Sequence, residues 1–460
     1  MKSCSFTLFT FIAIIFLGCL SSTGAATCHP DDEAGLLAFK ASITRDPTGF
    51  LSSWKKGTSC CAWNGIECGK SERVVVLNIF RTSGHYKDYL SGTISPSLAK
   101  LQHLESIYFI FQRKLTGSFP QFIFKLPHLR AFYLVNTGLS GPLPANIGTL
   151  RQLETLNLEG NYFTGPIPRS ISNMTQLNAV KLRGNRFSGT IPNIFKSMTS
   201  LQILDLSRNR LSGKLPSSIA TLAPTLRHLI LNENNLSGTI PNDLSKLKAL
   251  NALDLSRNRF SGVVPMSFAN LTALTSIYLS HNLLTDPFPV LNNIIGGMDT
   301  LDLSYNKFHL KTIPEWMTLS TYKNALKLAK CGIKMSFEDL KPVQLNGYAY
   351  IDLSENEISG SPASFLNQKD DLLLEFRASG NKLRFDMGKL NFNKALKVLD
   401  LSRNLIFGEV PKSVVGLKKL NLSQNHLCGK LPTTKFPASA FAGNDCLCGS
   451  PLPPCKSKAI

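Results

Sequence analysis

Five aspartates, Asp205, Asp254, Asp302, Asp352 and Asp400, each stand between two aliphatic residues of a recurring motif. Paired carboxylates about 5–9.5 Å apart can hydrolyse a glycosidic bond, and strands about 4.8 Å apart could bring two of these side chains into that range. Their recurrence at one motif position argues against catalysis, because aspartate is a standard occupant between the leucines of such a strand. The eight histidines are scattered, and the chain has no histidine pair at zinc spacing with a glutamate, no glycine-rich phosphate loop and no nucleophile elbow. No catalytic residue, metal ligand or cofactor site is assigned, and the chain reads as a non-enzyme.

Cations carry more information. Arg186, Arg208, Arg210, Arg257, Arg259, Lys307, Lys382 and Arg403 all flank a recurring asparagine. If successive units stack, Arg208 and Arg257 lie two strands, or about 10 Å, apart. A stripe of this kind would suit an extended polyanion, with Arg186, Arg208, Arg210, Arg257, Arg259 and Arg403 as the binding set; the opposing reading is a row of solvated charges that answer interleaved acids. The formal net charge is +20, or +19 without Lys2, which favours anionic partners in general. Nucleic acid would feel the same field, but the export signals described below remove it as a partner. Positions alternating with the leucines carry Tyr108, Tyr133, Lys181, Arg183, His228, Ile230, Tyr278, Lys327 and Arg377. Aromatic and basic side chains anchor protein interfaces, and Tyr133, Asn157, Lys181, Arg183, His228 and Tyr278 are the expected partner-binding set.

A periodic frame must position these residues. From Leu153 onward the chain repeats leucine, two residues, leucine, one, leucine, two and asparagine, then an apolar residue, glycine, another apolar residue and proline. The asparagines Asn161, Asn185, Asn209, Asn234, Asn258, Asn282 and Asn306 follow at steps of 24, 24, 25, 24, 24 and 24 residues, with Asn356, Asn381, Asn404 and Asn425 beyond. This is the leucine-rich-repeat signature. It predicts an α/β solenoid, a right-handed superhelix with a parallel β-sheet on its concave face and helical or looping returns opposite. About fifteen units are expected over 73–427, irregular near 286–350 where the glycines and prolines fade. An asparagine amide can both donate to and accept from the backbone of a buried turn. Cys331 takes an asparagine position and is expected to be a buried structural thiol. With 43% hydrophobic and 17% charged residues, the chain has ample material for such a core and is not a disordered polyelectrolyte.

A solenoid cannot bury its own ends, so it needs caps. Of eleven cysteines, Cys4 and Cys19 fall in a leader; Cys28, Cys60, Cys61 and Cys68 gather at one end, and Cys428, Cys446, Cys448 and Cys455 at the other. Each even set suits disulfides in an oxidising compartment. Adjacent Cys60 and Cys61 should take different partners, and the favoured pairs are 28 with 60, 61 with 68, 428 with 446 and 448 with 455. Each foursome nonetheless allows three pairings that sequence does not select. The spacings do not fit zinc knuckles. Lys2, the apolar run from Phe6 to Leu20 and a small-residue tail ending at Ala26 form a secretory signal peptide over 1–26. A cap over 27–72, the repeats over 73–427 and a second cap over 428–460 follow, with no later membrane span. Glycosylation acceptor sequences lie at Asn173, Asn235 and Asn270; a fourth, Asn421, sits between strand leucines and is the least suited to carry a glycan.

The segments from Asp31 to Lys40, Leu51 to Trp54 and Cys60 to Cys68 resemble the N-terminal cap of plant leucine-rich-repeat proteins, and the Ser-Gly-x-Ile-Pro runs are similar to their plant-specific repeat. Asn444 to Cys455 and Phe385 to Lys389 resemble polygalacturonase-inhibiting proteins. That resemblance implies a secreted, monomeric protein of the plant cell wall that binds a pectin-degrading hydrolase on the concave face, and it makes pectin the polyanion of interest, since guanidinium groups match carboxylates in bidentate geometry. The unit count exceeds that of a typical inhibitor, so the target need not carry over. Two rival readings are a kinase-less co-receptor or ligand-binding protein that engages a receptor kinase, and a structural or ice-binding wall protein. The chain also resembles a plant group labelled for DNA-damage toleration, a label at odds with export.

Overall fold

The computed structural model describes residues 28–80, 89–291, 297–317, 324–340, 347–367, 372–392 and 394–455. The leader expected at 1–26, most of the loop from Thr82 to Tyr89 and parts of the irregular stretch lie outside the described residues. The concave face is a sheet of sixteen strands in chain order, from Ile66–Cys68 to Lys419–Asn421. The first pair is antiparallel; the rest are parallel and in register, so that Tyr108, Tyr133, Asn157 and Lys181 stand side by side on four neighbouring strands. A central apolar residue of each parallel strand, such as Leu204, Leu229 or Leu253, is buried, and its flanking residues face the concave surface. At about 1.5–3 kcal/mol per buried leucine-sized side chain, this repeated burial dominates the stacking energy.

The ladder asparagines hold one coil to the next. Asn282 donates from Nδ2 to Leu255 O of the preceding coil at 2.9 Å and to Leu279 O of its own at 3.0 Å, while its Oδ1 accepts from Phe260 N at 2.9 Å. Asn185, Asn234, Asn306 and Asn404 repeat the arrangement. At Cys331 the buried thiol faces Leu303 O of the preceding coil at 3.5 Å and Ala329 O of its own at 3.7 Å, and burial raises its pKa.

A second sheet follows the ladder. Ten strands run from Ile43–Arg45 through Ser91–Thr93 to Leu283–Thr285, parallel after the first pair. Each of the later ones is a run such as Arg210–Gly213, and Gly213 closes its strand at φ 79°, where a Cβ would meet Thr190 Cγ2 at 2.8 Å. The returns opposite the concave sheet are short 3-10 turns, including Ser217–Leu222 and Asn242–Lys246, led in by Pro216 and Pro241. Between Asp286 and Tyr350 the concave sheet continues unbroken, whereas the second sheet reduces to single bridges such as Thr285 to Lys307 and Lys311 to Ile333. The fading glycines and prolines thus mark a loss of the second sheet, not of the solenoid.

Both ends are sealed. The helix Pro30–Ala41 packs on the first repeat turn, where Gly35 allows close approach; a Cβ there would lie 2.5 Å from Leu101 Cδ1. Buried Asp32 receives Arg73 Nη2 at 2.8 Å, Arg73 Nε at 2.9 Å and Val74 N at 3.0 Å. Cys28 is bonded to Cys60, Cys61 to Cys68, Cys428 to Cys446 and Cys448 to Cys455. Cys60, Cys61 and Cys68 lie close together, but their sulfurs are held in these bonds.

Candidate functional site

The five aspartates do structural work. Asp254 Oδ1 accepts from Ser256 N at 3.0 Å and Ser256 Oγ at 2.6 Å; Asp205 and Asp400 hold Ser207 and Ser402 in the same way, and Asp302 and Asp352 accept from Ser304 N and Ser354 N. Each carboxylate therefore caps the turn that ends its strand, an Asx-type bond two residues on. Burial raises the Asp254 pKa, the Ser256 bonds oppose that rise, and the charges of Asp302 and Asp205 add to it. In register, Lys327 stands between Asp302 and Asp352, and Arg377 between Asp352 and Asp400, so these acids alternate with bases. A groove of 300 Å³ between the second sheet and the returns is lined by Thr93, Ile94, Phe119, Gln121, Phe122 and neighbours, with no titratable side chain.

The expected partner-binding residues are brought together only in part. Tyr133, Asn157 and Lys181 are consecutive in register, and Arg183 lies two residues beyond Lys181. His228 lies on the second strand past Lys181, and Tyr278 two strands further. Asn157 offers little to a partner, because it is 7% exposed and its Oδ1 accepts from Glu159 N at 3.1 Å, making it a turn cap like the aspartates. Arg183 shares Glu159 at 3.3 Å. No ion pair forms at Lys181 among the described residues.

The single cationic stripe is not found; the arginines divide into two rows. Arg208, Arg257 and Arg403 precede their ladder asparagine and adopt left-handed backbone with φ of 54°, 52° and 55°. Arg186, Arg210 and Arg259 follow the asparagine and open strands of the second sheet. Spacing along the chain could not separate the rows, since flanking residues on either side of an asparagine leave the turn in different directions. Arg208 is engaged by Glu233 at 2.9 Å, Arg403 by Glu355 at 3.3 Å, and Arg186 lies 4.8 Å over the Tyr162 ring. Arg210, Arg257 and Arg259 form no ion pair among the described residues. The first row also contains His281 stacked on Tyr305, with centroids 4.5 Å apart and an interplanar angle of 8°, a pair that sequence reading missed although both residues precede ladder asparagines. Burial lowers the His281 pKa, and Arg257 lowers it further.

Asn173 and Asn270 are exposed at the ends of return turns. Asn235 is exposed at the start of a second-sheet strand, between the strands opened by Arg210 and Arg259. Asn421 Oδ1 accepts from Ser423 N and Oγ, at 3.2 and 2.8 Å, inside the concave sheet.

A stacked parallel face with turn-capping acids defines a leucine-rich-repeat protein. Models of that class match in four parts: a leucine rich repeat N-terminal domain at 29–69, a leucine-rich repeat region at 90–223, and leucine rich repeats at 224–284 and 416–434. Within the class the chain is similar, over part of its length, to polygalacturonase inhibitors. It is 37% identical over 112 residues to polygalacturonase inhibitor 2 of Arabidopsis thaliana, covering 23% of this chain and 34% of the relative. It is 39% identical over 116 residues to polygalacturonase inhibitor 1 of Phaseolus vulgaris, covering 23% and 33%. The aligned part thus spans about a third of the length of these curated relatives. Among solved structures it is similar to a plant peptide hormone receptor, RGFR1, in complex with RGF2, at TM-score 0.58 and 25% identity, over 77% of this chain and 65% of that one. A Leptospira interrogans leucine-rich-repeat protein also matches at TM-score 0.58 and 25% identity, over 76% and 87%. No helix among the described residues is long and apolar enough to cross a membrane.

Proposed function

We propose that this chain is a secreted, non-enzymatic protein of the plant cell wall that binds a pectin-degrading hydrolase on its concave sheet and adheres to pectin through its arginines. The observation that carries the reading is the register of Tyr133, Asn157 and Lys181 on an open parallel face, joined to the likeness to polygalacturonase inhibitors. Arg257 and Arg259, one in each row and both free of ion pairs among the described residues, supply the polyanion contacts. The test is inhibition of a panel of fungal, bacterial and insect polygalacturonases by the purified chain, repeated with Tyr133→Ala and Lys181→Glu. Inhibition that weakens in both variants supports the reading, whereas none across the panel overturns the hydrolase assignment. The second reading, a ligand-binding protein without its own kinase, draws on the fold likeness to a peptide hormone receptor; capture of a receptor-kinase ectodomain in place of a hydrolase would favour it.

A further inference from the structure

The first coils of the concave face differ chemically from the rest. From Ser207 onward the outer strand-end position is almost always small and polar, as in Ser256, Ser280, Ser304, Ser354, Ser379 and Ser402. In the first three coils the same position holds Phe80, Ile110 and Val135, and Ile110 and Val135 are register partners. Beside them Tyr108 and Tyr133 lie with ring centroids 4.8 Å apart. Phe80 is 39% exposed and Phe111 43% exposed. Phe111 takes the left-handed backbone of its turn position at φ 58°, as Asn136, Arg208 and Tyr305 do at theirs, and so carries its ring on the turn that ends the strand. On the neighbouring strand, Asn78 Oδ1 is buried without a hydrogen-bond partner among the described residues, next to Tyr108, its register neighbour.

We infer that Phe80, Tyr108, Ile110, Phe111, Tyr133 and Val135 form an apolar anchor for an extended segment of a partner protein, one that presents an aliphatic or aromatic side chain and, about three residues along, an acidic one. The inference rests on the protein-binding reading above and specifies the partner's chemistry. Two strand steps separate Tyr133 from Lys181, about 10 Å, which an extended chain covers in about three residues at about 3.3 Å each. Lys181, which forms no ion pair among the described residues, supplies the complementary charge at that distance, while Arg183 is held by Glu159. Aliphatic Ile110 and Val135 offer a sugar no hydrogen bonds, and a concave sheet admits neither a membrane surface nor the concave face of a second copy. An extended segment fits.

The test is selection of displayed random peptides on the full secreted chain, followed by affinity measurement against Phe80→Ser, Phe111→Asn and Lys181→Glu. Asparagine suits left-handed backbone, so Phe111→Asn should fold at least as well as the wild type, and its thermal midpoint is measured in parallel. Enrichment of peptides with an apolar residue three places from an acidic one, with binding weakened about tenfold or more by each substitution, supports the inference. Enriched peptides without that pattern, or affinities unmoved by Phe80→Ser and Phe111→Asn, overturn it. Polygalacturonase inhibition that survives both substitutions also overturns the anchor while leaving hydrolase binding intact. Patterned, substitution-sensitive peptides without any inhibition uphold the anchor and retire the hydrolase.

Discussion

Each ladder asparagine satisfies two carbonyls and one amide that stacking would otherwise leave buried and unpaired, so its loss should be felt beyond the lost side chain. Asn282→Ala is expected to lower stability by about 3 kcal/mol, since each buried orphan costs about 1–3 kcal/mol; urea unfolding followed by circular dichroism reads this. The converse applies at Cys331, whose thiol meets Leu303 O and Ala329 O only at 3.5 and 3.7 Å. Cys331→Asn supplies two stronger donors there and should raise the midpoint, with a gain of about 1 kcal/mol; a lower midpoint would show that the coil has closed around sulfur. The ladder was legible in the sequence because its asparagines recur at nearly constant spacing. The role of the aspartates was not, because a carboxylate that caps its own turn and one that faces a substrate have the same place in the motif, and only the bond to the serine two residues on tells them apart. His281 adds a pH dependence. Its folded pKa lies below the ordinary 6.5, so the unfolded chain binds more protons through that range and stability falls as pH drops below it. His281→Asn, which tolerates the left-handed turn, should flatten the fall in thermal midpoint between pH 7 and pH 5; an equally steep fall in the variant would place the acid sensitivity elsewhere.

Among the elements, the N-terminal helix is tied to the first coil by Asp32, whose carboxylate is fully buried while Arg73 is 16% exposed. Removing one partner of a buried pair leaves the other uncompensated, and Asp32→Ala also strips Val74 N of its acceptor. The expected cost is about 3 kcal/mol, the lower end for such pairs because Arg73 reaches water. A solenoid transmits damage only to neighbouring units, so hydrogen exchange should quicken first across Pro30–Ala41 and Val74–Ile79, while Val398–Asp400 keeps its protection. Uniform loss along the chain would mean that the stack unfolds as one unit. The caps were legible from cysteine clusters at both ends, but the three pairings open to each foursome are decided by geometry, with Cys428 and Cys446 held opposite one another on paired strands. The second sheet was not legible. Runs such as Arg210–Gly213 are short and polar and end in glycine, which in isolation signals a turn; they become strands because stacking lines up identical segments from neighbouring coils.

For the molecule as a whole, the excess of cations raises a question of scale: adhesion to a polyanion could come from total charge, acting at long range and screened by salt, or from a few guanidinium groups placed to meet carboxylates directly. The solenoid separates these, because it carries lysines on the returns while Arg210, Arg257 and Arg259, free of ion pairs among the described residues, stand beside the ladder. Lys196 and Lys412 are exposed on return turns, and reversing both alters net charge as much as reversing Arg257 and Arg259. If local placement governs, Arg257→Glu with Arg259→Glu should lower the salt needed to elute the chain from immobilised polygalacturonate by about half, while Lys196→Glu with Lys412→Glu leaves it nearly unchanged. Arg208→Glu should have a smaller effect than Arg257→Glu, because Glu233 already occupies the Arg208 guanidinium, although a single stripe would weight the two alike. Equal shifts from both double reversals would assign adhesion to net charge, and the two arginine rows would then be ordinary solvated surface on a recognition scaffold whose specificity lies wholly in its concave sheet.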